Sequence, residues 1–193
     1  MLKISQRDLQ GARIALEQSI RLGRDAGVSA VHFSEMALGM LLILLEDPRS
    51  AVELLRDLLV RVRTAPFVDM RRILGTTVFL SHALADCGER EESLAFMREA
   101  ASLVRKMGVV PLFFERFAYV LAKASEFDGA ARLVGWNDVP FKSSRIAPPL
   151  IAIHRARALA ILNEHLPTPE VERLMTEGAQ MSEDEAFRLI AGA

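Results

Sequence analysis

Apolar residues recur three and four positions apart along almost the whole of this chain, and two-residue alternation is hard to find in it. A chain patterned that way buries stripes of helix against helix, because only a helix brings residues at those spacings onto one face. The composition agrees. The chain is 51% hydrophobic but only 6% aromatic, with Leu, Ala, Val and Ile carrying the apolar mass. That mix favours helix over sheet, and the fold class expected is all-α.

Turn residues cut the pattern into helices over 6–25, 29–45, 49–63, 69–87, 90–107 and 111–126, and a shorter one begins at Asp128. After a stretch read as irregular, 136–149, further helices are expected over 150–164, 169–177 and 183–191. Asp47 before Pro48 is a start signal, since the carboxylate caps orphan N–H groups and proline suits the first helical position. Thr168-Pro169 is another. Ser182 with Glu185 reads as a capping box.

The helices repeat in pairs. Ala51-x3-Leu55-x2-Leu58 has the spacing of Ser93-x3-Met97-x2-Ala100, and Ala12-x3-Leu16-x2-Ser19 follows it loosely. Twelve residues before Ala51, Ser93 and Ala130 stand Gly39, Ser81 and Ala118. Each follows a large residue (Leu38, Leu80, Phe117) and precedes by three another leucine (Leu42, Leu84, Leu121). Small residues at matching places let two antiparallel helices approach closely while the large neighbours fill the seam. The breaks at Gly27, Pro66 and Gly108 recur at intervals of 39 and 42 residues.

This series resembles the tetratricopeptide repeat in spacing, although the period is longer than usual and the signature Trp, Tyr and closing Pro are mostly absent. The segment Ala130-Ala131-Arg132-Leu133-Val134-Gly135-Trp136 is similar to one near the end of certain bacterial multidomain regulators. Leu166-Pro167, Glu177-Gly178-Ala179 and Met181-Ser182-x-x-Glu185-Ala186 follow in the same order. Those regulators are signal-transduction ATPases or transcriptional regulators of MalT/LuxR-like or winged-helix type, and the resemblance covers roughly their C-terminal repeat region. It implies a short right-handed tetratricopeptide-like α-solenoid over 1–135 and a C-terminal helical extension over 136–193. It also implies a non-catalytic interaction or sensor module contacting a protein or peptide partner, upstream domains of the same regulator, or a second copy. The alternative is a stand-alone peptide-binding adaptor or chaperone.

Other function classes find little support. The formal net charge of −1 supplies no field for nucleic acid. The segment after Leu166 resembles the opening of a helix-turn-helix, yet it carries six acidic residues against Arg173 and Arg188 and lacks a recognition helix. Direct nucleic-acid contact is therefore not expected. The most apolar run, Met36 to Leu45, has ten residues where a bilayer span needs about 20, so no membrane association is expected. Cys87 is the only cysteine, which excludes an internal disulfide and suits a cytoplasmic setting. There is no Gly-x4-Gly-Lys loop for nucleotide phosphates. His32, His82, His154 and His165 are not spaced as metal ligands. No catalytic residue, metal or cofactor is expected; the nearest candidate for chemistry is a pairing of His82 with Glu115 across repeats.

Two surfaces remain as candidates. In a tetratricopeptide array the first helix of each pair lines a concave groove. Spacing from Gly39 places Phe33, Met36, Met40 and Ile43 on that face. The next pairs contribute Gly75, Val78, His82 and Ala85, then Leu112, Glu115, Tyr119 and Ala122. Flexible thioethers there suit an amphipathic partner helix, unless the face is self-filled core. Arg61, Arg63, Arg71 and Arg72 form the densest basic cluster, read as a solvated helix end or as a surface for an acidic partner. The first helix lacks a preceding partner in the array, and its apolar edge predicts homodimerisation.

Overall fold

The computed structural model describes residues 8–26, 31–67, 69–108, 113–143 and 149–192, and for 139–143 and 149–152 the backbone alone. Every regular element among them is helical: α1 (Leu9–Asp25), α2 (Val31–Leu44), α3 (Pro48–Thr64), α4 (Met70–Cys87), α5 (Arg90–Met107), α6 (Phe114–Lys123), α7 (Phe127–Ser143), α8 (Pro149–His165), α9 (Thr168–Ala179) and α10 (Glu183–Gly192). None is long and apolar enough to cross a membrane. The chain clusters into two compact units, Met1–Cys87 and Gly88–Ala193. The expected boundary between residues 135 and 136 falls inside α7.

The local signals act where they stand. Asp47 accepts a hydrogen bond from the Ser50 backbone N–H at 3.3 Å, with Pro48 opening α3. Ser182 and Glu185 close a reciprocal capping box at α10: the Ser182 N–H donates to Glu185 Oε2 at 2.7 Å, and the Glu185 N–H donates to Ser182 Oγ at 3.3 Å. One backbone turn recurs. Glu46, Gly88 and Ser125, which follow α2, α4 and α6, all have positive φ, at 60°, 81° and 63°. After the first and the last of them the next N–H reaches back to the same place in its helix: Asp47 to Leu42 O and Glu126 to Leu121 O, both at 2.9 Å. This is a Schellman ending, in which the left-handed residue lets the chain turn back while satisfying a carbonyl.

In the first unit α2 packs on α1, α3 and α4, and α3 packs on α4. The small residue Gly39 permits the α2–α3 approach, since a Cβ there would lie 2.7 Å from Leu55 Cδ2. Leu55, Leu58, Leu80 and Leu84 are among its fully buried side chains, each stabilising by roughly 1.5–3 kcal/mol.

In the second unit α7 is the hub, packed most extensively on α9 and α6. Its crossing with α9 is reciprocal. A Cβ on Gly135 would lie 1.9 Å from the Met175 carbonyl oxygen, and a Cβ on Gly178 would lie 1.9 Å from the Arg132 carbonyl oxygen. The stretch expected to be irregular from Trp136 is helix as far as Ser143, despite Pro140. Tertiary burial outweighs the local turn signal: Trp136 packs 4.5 Å from the Phe114 ring, and Asn137 is fully buried. The part of that stretch over 144–148 lies outside the described residues.

Candidate functional site

Three helices of the first unit converge on one carboxylate. Glu35, in the second turn of α2, is completely buried. Arg61 of α3 donates to both its oxygens, Nη1 to Oε2 and Nη2 to Oε1, each at 3.0 Å. Arg24 of α1 donates to Oε1 from Nη2 and, at 3.2 Å, from Nε. A fully desolvated carboxylate is costly unless several charge-assisted bonds hold it, and here two guanidiniums do.

Arg24 and Arg61 also line a cleft of about 260 Å³, together with His32, Leu58, Val62, Phe67 and Arg72 among others. Arg72 sits 5.9 Å over the Phe33 ring, and its Nε is 3.2 Å from Asp69 Oδ2. Of the expected basic cluster, Arg61 and Arg72 line this cleft, whereas Arg63 and Arg71 are exposed away from its lining. Arg24 and Glu35 were not expected in it. They stand 11 residues apart in sequence, and nothing local marks them as partners.

The groove residues have mixed fates. Phe33 is 55% exposed. Met36 and Met40 are half-buried, and Ile43 is buried. A Cβ on Gly75 would lie 2.6 Å from Met36 Sδ, so α4 occupies part of that face. Val78, His82 and Ala85 are buried, as are Glu115, Tyr119 and Ala122, while Leu112 lies outside the described residues. His82 belongs to the first unit, where its Nε2 is 3.4 Å from Asp86 Oδ2; Glu115 belongs to the second.

Glu115 anchors a polar centre shared by α6, α7 and α8. Arg155 pairs with Asp138 at 2.6 Å and stands 3.8 Å from Glu115. Burial pushes the Glu115 carboxyl up to about 6; Asn137 and the Arg155 charge pull the other way. Arg116 meets His154 Nε2 at 2.7 Å. Burial lowers that guanidinium to about 10, so it stays charged at neutral pH and donates. Glu115 was expected on a partner groove, not in a buried polar centre. Asn137 and Asp138 were hidden in the stretch read as irregular.

Among the described residues no group of three or more His, Cys, Asp or Glu side chains is placed to hold a metal ion. Comparison of the chain with protein-family models, with curated proteins and with solved structures finds no match in any of the three.

Proposed function

We propose that this chain is a non-catalytic helical-repeat interaction module, related to the C-terminal repeat region of bacterial signal-transduction ATPases and transcriptional regulators. In this reading its helix pairs repeat as in a short right-handed tetratricopeptide-like solenoid. It acts by binding a protein partner, a second copy foremost, and by receiving a signal. The repeated left-handed turns at Glu46, Gly88 and Ser125 support the repeat. The two segments that carry the resemblance, around Gly135 and Gly178, pack directly on one another, which gives both glycines a shared physical reason.

The observation that carries the interaction reading is α1. Its inner stripe, Leu9, Leu16 and Ile20, faces the unit, and Ile20 is its one buried residue. On the opposite side Ile14 and Leu22 are 56% and 65% exposed. Two large apolar side chains left this exposed on the outer side of α1 give a partner something to cover. Sedimentation velocity across the micromolar range should show a concentration-dependent shift from monomer to dimer. A single monomeric species up to high micromolar concentration would remove self-association from the proposal.

A further inference from the structure

We propose that the cleft beside Glu35 binds a small organic anion with an apolar body, of the class of short-chain or aryl carboxylates. Among the described residues, every ionisable side chain lining the cleft is cationic or an imidazole: Arg24, Arg61, Arg72 and His32. The carboxylate that orients two of them, Glu35, is completely buried, so an entering ligand meets N–H groups and no acceptor of that residue. Arg24 spends Nε and Nη2 on Glu35, which leaves its Nη1 hydrogens for a ligand. Planar guanidiniums held in advance suit a carboxylate, because ordering them costs nothing further on binding.

The rest of the lining sets the ligand's other end. Leu58 and Val62 supply apolar wall, and Phe67, at the mouth, is 91% exposed. A cleft of about 260 Å³ displaces roughly nine waters at about 30 Å³ each. That volume matches a compact ligand. Charge alone does not drive binding. Arg24, Arg61 and Arg72 are balanced locally by Glu35, Asp57 and Asp69, so recognition rests on directed hydrogen bonds plus apolar cover. A bare anion would satisfy only half the site, and a neutral apolar molecule only the other half.

The inference deepens the signal-receiving part of the proposed function, and its test reads binding directly, whatever the oligomeric state. Calorimetric titration of the whole chain with phenylacetate should show saturable binding. Inorganic phosphate and 2-phenylethanol should bind at least about tenfold more weakly. Phe67→Ala should weaken phenylacetate several-fold at an unchanged thermal midpoint, since Phe67 is nearly bare. Arg72→Gln should weaken it likewise, with a small drop in midpoint from the lost Asp69 and Phe33 contacts while the Glu35 cage stays intact. Equal binding of the alcohol would overturn the anionic half, and equal binding of phosphate the apolar half. Absence of saturable phenylacetate binding, or binding indifferent to both substitutions, would leave the cleft as no more than the cage of a structural ion pair.

Discussion

Ser125 and Gly88 occupy the same place in two repeated turns, with φ of 63° and 81°. A left-handed backbone costs an ordinary residue roughly 1–2 kcal/mol and glycine nothing, while glycine loses about 0.4–1 kcal/mol more entropy on folding. The balance gives opposite signs: Ser125→Gly should stabilise by about 0.5 kcal/mol and Gly88→Ala should destabilise by about 1 kcal/mol. Urea midpoints of the two variants should move in opposite directions. Glu115 gives a pH dependence. Its carboxyl is raised from 4.5 to about 6 in the folded chain, so between those values the native state holds the proton more tightly than the unfolded state. Stability from this group is complete below pH 4.5, falls as pH rises through 6, and is lower above it by about 2 kcal/mol. Glu115→Gln should cancel that fall, which denaturation at pH 5 and at pH 7.5 would measure. A variant that tracks the parent at both values would mean that the carboxylate is already well compensated when ionised.

At the scale of elements, the α7–α9 crossing makes the sharpest demand. An alanine in an ordinary helix interior gains up to about 1 kcal/mol over glycine. At Gly135 or Gly178 the added methyl would stand 1.9 Å from a carbonyl oxygen of the facing helix, where backbone cannot yield as a side-chain tip can. The expected net loss is at least about 3 kcal/mol for either change. Gly11→Ala in α1 is the control, because its methyl would meet only the movable end of Asp8 and should be neutral or mildly stabilising. Thermal melts of the three variants decide it. The same elements show what was legible. Caps such as Asp47 and Ser182–Glu185 depend on residues within one turn, and they were readable from neighbours alone. The glycines at 135 and 178 were visible as motif pieces, but their contact was not, because sequence spacing carries no information about which helices cross. Arg24, Glu35 and Arg61 come from three helices, and only packing brings them together. The continuation of α7 past Trp136 was missed for a related reason: Asn137, Asp138 and Pro140 signal a turn locally, and burial overrules them.

At the scale of the molecule, α1 sets the terms on which a second copy could dock. Ile14 and Leu22, 56% and 65% exposed, would each contribute about 1–2 kcal/mol if the exposed remainder were covered. A two-fold contact uses each residue twice, which gives roughly 4–8 kcal/mol gross against an association cost of about 4–15 kcal/mol. These four side chains barely offset that cost, and a micromolar dimer needs about 8 kcal/mol net, so a dimer in the micromolar range must bury α1 surface beyond Ile14 and Leu22. Mass action then requires the thermal midpoint to rise with protein concentration, since binding of the native form alone stabilises it. Because the contact is apolar and the chain's net charge is −1, added salt should not weaken it. Ile14→Glu with Leu22→Glu should abolish the concentration dependence and leave the dilute midpoint unchanged, as neither residue is core. If the doubly substituted chain instead melts lower even when dilute, that flank of α1 is covered within the chain itself, and the surface for a partner must be sought elsewhere.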